Sequence, residues 1–108
     1  MLIGVPKEIK VHEYRVGMTP ASVREAVHHG HTVLVEKGVA SKIGIEDSEY
    51  LAAGARVADS ADLIWATSDL IVKVKEPQPE EYQYLRKGQI LFTYLHLAPD
   101  RPQAEALI

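Results

Sequence analysis

The eight residues Leu70–Pro77, LIVKVKEP, decide the architecture. The aliphatic run from Leu70 to Val74 is the composition of a buried strand. Pro77, which has no N–H to give to a ladder, stops it. Working outward, ILFT (Ile90–Thr93), HTVLVE (His31–Glu36) and the opening LIGV (Leu2–Val5) have the same character, and Ala55–Ala58 is a short edge candidate. Between them the period changes. Thr19-Pro20 is a helix start with an N-cap threonine and a proline at the first helical position. Val23, Ala26 and Val27 follow at helical spacing, and Gly30 is the stop. Asp47 is the expected cap of a short helix carrying Tyr50, Leu51 and Ala52, ended by Gly54. Asp59 or Ser60 opens another that runs through Trp65. EEYQYLRKG (80–88) reads as a short helix closed by Gly88, and Arg101-Pro102 opens a further one. Strands alternating with helices predict an α/β fold: an open, mostly parallel sheet with helices on both faces, Rossmann-like or flavodoxin-like. Trp65, Tyr50 and Phe92 are expected in the core.

The chain has 108 residues, enough for one domain with one core, and its 46% apolar and 25% charged content is that of a globular protein. A formal charge of -3 disfavours nucleic acid or an anionic membrane as partner. No apolar run approaches the roughly 20 residues that span a bilayer. MLIGVPKEIK lacks the basic and apolar regions of a secretory signal, so the expected compartment is the cytoplasm. With no cysteine, disulfides, thiolate catalysis and cysteine-ligated zinc are excluded. The last residues, Ala106-Leu107-Ile108, fall inside an apolar helical stretch without a cap, so the chain is expected to be a truncated part of a larger protein.

Three reactive side chains follow predicted strands: Arg15, Lys75 and His96. In an open parallel sheet, the loops beyond the carboxyl ends of the strands build the ligand crevice. A guanidinium, an amine and an imidazole would therefore meet there. The cations suit a small carboxylate, and the imidazole moves a proton. Each has a plainer reading. His96 could bond backbone at a strand end. Lys75 shares a face with Lys73 by the two-residue alternation and could pair with Glu76. Arg15 could form a surface pair with Glu13 or Glu8. His28, His29 and His31 fit the cationic end of a helix better than a metal site, since neighbouring helical residues point apart, and no metal is expected. No glycine-rich dinucleotide fingerprint or P-loop occurs; Gly38 to Gly44 is a turn-rich loop.

IGVPKEIK, EYRVGMTP, GHTVLVE, AGA, LIVKVKEP, EY and GQILFTYLHLA occur in this order. Together they resemble the N-terminal, substrate-binding part of the L-alanine dehydrogenase family, across nearly the whole chain. The related transhydrogenase alpha subunits share the fold but lose the second lysine and the histidine, so Lys75 and His96 favour the dehydrogenase branch. The resemblance implies that Arg15 and Lys75 bind pyruvate or L-alanine through carboxylate and carbonyl oxygens. It makes His96 the general acid/base and has Tyr94 line the pocket. Hydride would pass from the alanine α-carbon to NAD, water would attack the imine, and His96 would shuttle protons. It further implies a homo-hexamer, and an NAD-binding domain outside residues 1–108, which are then the N-terminal part of the substrate domain and hold half an active site. GVASKIGIED (38–47) departs from the family's usual Ala-Gly-rich stretch, which leaves the shape of that loop open. Two other readings stand beside this one: a transhydrogenase-like module, and a non-catalytic fragment or assembly module that kept the fold.

Overall fold

The aliphatic stretch Leu2–Val5 forms β1, the middle strand of a five-stranded sheet ordered β3-β2-β1-β4-β5. The computed structural model describes residues 1–10 and 12–94, Tyr94 by its backbone. The other strands are β2 (Thr32–Glu36), β3 (Arg56–Ala58), β4 (Leu70–Lys75) and β5 (Ile90–Tyr94). Every pairing is parallel, so the sheet is wholly rather than mostly parallel among the described residues. Helices α1 (Pro20–His28) and α2 (Asp47–Ala52) cover one face, and α3 (Ala61–Thr67) covers the other. On the first face Ile3, Val5, Val33 and Val35 pack against Val23 and Tyr50. On the second, Ile71 and Ala58 pack against Ile64 and Trp65. Helices must take both faces because each parallel connection returns right-handed, and the direction of travel reverses after β3. No helix among the described residues is long and apolar enough to cross a membrane.

Local signals are met where a side chain can close a backbone group. The Thr19 hydroxyl accepts the Ser22 N–H at 3.3 Å, capping α1. Gly30 and Gly54 take positive φ just past α1 and α2, as helix stops require. Three expectations shift. The cap of α2 is Glu46, whose N–H bonds the Glu49 carboxylate at 2.8 Å; Asp47 is its first residue. The Asp47 carboxylate instead accepts the Gly38 N–H at 3.0 and 3.2 Å, pinning the long loop. The segment expected to be a helix over 80–88 is a 3₁₀ turn, Pro79–Tyr84, that ends at Leu85. Stacking of Tyr84 on Trp65 holds that turn against α3, with ring centroids 5.9 Å apart. Third, Phe92 is 66% exposed, whereas Trp65 and Tyr50 are fully buried. The α1–α2 layer stands over β1 to β3, and nothing among the described residues covers its face of β5. The helix expected at Arg101-Pro102 lies outside the described residues.

One glycine is fixed by packing. A Cβ at Gly4 would lie 2.1 Å from the Ser68 hydroxyl and 2.9 Å from Ile64 Cγ2. α3 can rest on β1 only because that side chain is missing. Alanine ordinarily favours a strand over glycine by about 0.5–1 kcal/mol. Gly4→Ala should nevertheless lower stability by about 1–3 kcal/mol, the cost of overpacking. Urea unfolding checks this, and an unchanged midpoint would contradict the close packing.

Candidate substrate crevice

The chain leaves β1 toward β2 and β3, then returns to place β4 on β1's other side. The gap between the carboxyl ends of β1 and β4 is thus the topological switch point, where open α/β sheets bind ligands. The ladder between the two is short, pairing Ile3 with Leu70 and Gly4 with Ile71. Beyond it the loop after β1 fills the opening. Gly17 passes so close that a Cβ there would sit 2.4 Å from the Val72 carbonyl oxygen, so the loop enters only with glycine at this point. Arg15 lies on this loop after β1, and Lys75 is the last residue of β4.

The two lysines of β4 have different lives. Lys73 is buried, its side chain 0% exposed. Its ammonium lies 3.2 Å from Glu8 Oε1, 3.3 Å from Glu81 Oε1 and 3.2 Å from the Lys75 carbonyl oxygen. Burial pushes the Glu81 carboxyl above the usual carboxylate range, and Lys73 opposes that without cancelling it. Between the lysines the strand is irregular. Val72 pairs with Phe92 and Lys75 with Tyr94, so three steps on β4 answer two on β5. The extra residue is a β-bulge, which shifts the alternation. Lys75 takes the register place two beyond Val72, so simple two-residue alternation no longer puts it on one face with Lys73.

Lys75 is half-buried, and its ammonium has no hydrogen bond or ion pair among the described residues. Glu76, its expected partner, pairs instead with Lys10 at 2.6 Å. Burial raises the Glu76 carboxyl, but the Lys10 hydrogen bond, a backbone hydrogen bond and the charges of Lys10 and Lys75 together hold it below its ordinary value. Arg15 has the anticipated pair with Glu13: Nε to Oε2 and Nη2 to Oε1 both at 3.0 Å, and its backbone N–H to Oε2 at 2.8 Å. The geometry is bidentate, which orients the guanidinium, while its side chain stays 67% exposed. Arg15, chiefly by its side-chain hydrogen bond, holds Glu13 below its usual range, and the charge of Lys75 adds to this. Buried Glu13 is thus the shared neighbour of both cations.

An open cavity of about 370 Å3 lies here, lined by Arg15, Gly17, Val72, Lys73, Val74 and Phe92; Lys75 is not among its lining residues. That is the size of a small-molecule site, apolar with a cation at its rim. Lys75 stands one residue beyond Val74, at the end of the same strand. His96 lies outside the described residues, and Tyr94 is placed only by its pairing with Lys75. Of the four residues predicted for the site, Arg15 lines the cavity and Lys75 ends the strand beside it. Glu8, Glu13 and Glu81 are the residues the sequence reading did not assign to it. Their one signal was position, since Glu8 and Glu13 follow β1 and Glu81 precedes β5. At His29, the expected helix-end histidine, Nε2 lies 3.0 Å from Glu25 Oε1.

The fold is a doubly wound parallel sheet with an open cavity, rimmed by Arg15, at its switch point. A family model described as the alanine dehydrogenase/PNT N-terminal domain matches residues 4–108. The chain belongs to that family. It is similar to the alanine dehydrogenase of Mycolicibacterium smegmatis, 48% identical over 108 residues, and to that of Bacillus subtilis, 50% identical over 107 residues. These matches cover 100% and 99% of this chain but 29% and 28% of those proteins, so the chain spans less than a third of their length. Among solved structures, an L-alanine dehydrogenase superposes with a TM-score of 0.96 at 51% identity, covering 99% of this chain and 29% of that one. A transhydrogenase from Sinorhizobium meliloti superposes with a TM-score of 0.90 at 29% identity, covering 99% and 32%.

Proposed function

We propose that residues 1–108 are the N-terminal part of the substrate domain of an NAD-dependent L-alanine dehydrogenase. L-alanine, NAD and water would give pyruvate, ammonium, NADH and a proton, reversibly. The observation that carries this reading is the Lys75 ammonium, without a hydrogen bond or ion pair among the described residues, at the end of the strand beside the cavity that Arg15 rims, while Lys73 is held by Glu8 and Glu81. The greater identity to alanine dehydrogenases than to the transhydrogenase supports this branch. In the reaction Arg15 takes the substrate carboxylate, which competes with Glu13 for a guanidinium already turned toward the crevice. Lys75 holds the carbonyl oxygen and favours the charge that develops on it. Tyr94 lines the pocket. His96 takes a proton as water adds to the imine and returns it to the departing nitrogen.

The described residues do not fit a dinucleotide. A phosphate-binding turn needs glycines and a helix N-terminus directly after the strand. Here β1 runs into Pro6, which has no N–H to offer, and α1 begins only at Pro20. The NAD-binding part, on this reading, lies outside residues 1–108, and the enzyme is a cytoplasmic homo-hexamer.

The test is NADH formation from L-alanine and NAD by the full-length protein that carries this sequence, and its absence from a folded preparation would reject the reading. Within it, His96→Ala should cut deamination by about 10²–10⁴-fold, the usual worth of a general acid/base. NADH binding, followed by its fluorescence, should persist. Normal turnover in that variant would remove the histidine from the mechanism.

A further inference from the structure

Lys75 has no side-chain partner among the described residues, so its direction is set by its backbone. Both polar groups of that backbone end on one buried ion pair. Its N–H donates to Glu8 Oε1 at 3.2 Å, and its carbonyl accepts from Lys73 Nζ at 3.2 Å. Glu8 Oε2 also accepts the Val74 N–H at 3.1 Å, and Oε1 lies 3.2 Å from Lys73 Nζ. Two consecutive amides of a regular strand point to opposite edges of the pleat; at this bulge both reach one carboxylate. The Glu8 side chain stands where the ladder from β1 has ended, and takes up groups that would otherwise be buried without partners.

We propose that Glu8 is a positioning residue for Lys75: clamped by Lys73, its carboxylate holds the bulge that sets where β4 presents Lys75 beside the crevice. Glu8 does not line the cavity and is itself buried, so it acts on substrate only through the β4 backbone. A carboxylate suits this work because one group accepts several donors at once, and its hydrogen bonds to N–H groups are charge-assisted. The neutral glutamine keeps the shape but turns an NH2 toward Lys73 or the amides. The bulge then loses half of its hold, and a displacement of about 1 Å at Lys75 is enough to cost up to about 100-fold.

The inference rests on the role proposed for Lys75 above, and a double-mutant cycle in the full-length enzyme separates the two. Glu8→Gln should lower kcat/KM for L-alanine by between about 10- and 100-fold and leave NADH affinity unchanged. In a Lys75→Ala background the same change should cost less than about twofold, because the residue it positions is gone. Equal losses in both backgrounds would make Glu8 merely structural and overturn the proposal. So would parental kcat/KM in Glu8→Gln while Lys75→Ala is impaired. Parental activity in Lys75→Ala would instead remove the role of Lys75, and the positioning with it. If steady-state turnover of Lys75→Ala is too slow to follow, single-turnover NADH formation reads the same cycle. If Glu8→Gln does not fold, Glu8→Gln with Lys73→Met removes both charges together, and its loss should likewise vanish when Lys75 is changed.

Discussion

Lys75→Ala is expected to lower alanine turnover by about 10²–10³-fold, the usual result of deleting one preorganised group at a developing oxyanion. Its fold should stay intact. The ammonium it removes contacts no described carboxylate, and the chain keeps the Glu8 and Lys73 bonds of its backbone, which alanine makes equally well. Circular dichroism and thermal unfolding should therefore match the parent while kcat/KM collapses. Glu13 and Glu76 would each lose a neighbouring positive charge, a small change beside their direct partners Arg15 and Lys10. Full turnover with an intact fold would end the case for Lys75 as a substrate contact.

Lys73→Met is expected to act on the fold first. The variant keeps the stem of the side chain but leaves Glu8 and Glu81 facing each other without a cation. Breaking a buried pair by deleting one partner typically costs about 3–5 kcal/mol. The loss should depend on pH, with a definite sign. Burial already holds Glu81 above the ordinary carboxylate value, and Lys73 is what restrains it. Without the lysine its folded value moves further up. A carboxyl raised in the folded state stabilises below its unfolded value and loses that contribution as the pH rises through the folded one. The variant should therefore be closest to the parent near pH 4–5 and furthest from it above neutrality, with unfolding midpoints measured across that range as the check. A pH-independent difference would mean that the carboxyls do not feel the missing charge. The two lysines should thus fail differently: loss of Lys73 is expected to lower activity through stability, and loss of Lys75 through chemistry.

The sheet was legible because its strands are uninterrupted aliphatic runs, and both faces of a central parallel strand are buried. Leu2–Val5, Leu70–Val74 and Ile90–Thr93 are placed within a residue of the observed strands. Capping chemistry was legible at Thr19, where hydroxyl, proline and helical spacing agree. It failed at Asp47, because an aspartate beside a loop can bond a distant N–H as readily as its own helix. The 80–88 segment failed for a related reason: its helical composition lost to the pull of Trp65 on Tyr84. Phe92 was placed in the core because an apolar side chain in a strand usually has a covering layer, and at β5 the described residues supply none. Position after a strand marked Arg15 and Lys75, and the Arg15–Glu13 pair was readable, but the partners of the β4 lysines were not. Lys73 and Lys75 look alike in sequence, and alternation cannot foresee the bulge between them, with one ammonium held by two carboxylates and the other without a partner among the described residues. The carboxylates themselves come from opposite ends of the chain.

The bulge also sets how the two lysines can be inherited. Lys73 is tied to partners 65 positions earlier and 8 positions later, so replacing it calls for matching changes at Glu8 and Glu81. The Lys75 ammonium has no hydrogen-bonded or ion-paired side chain among the described residues, only the longer-range charges of Glu13 and Glu76. A descendant adopting a new substrate can therefore exchange Lys75 in a single step and keep its scaffold, whereas exchange at Lys73 needs compensating substitutions to arrive together.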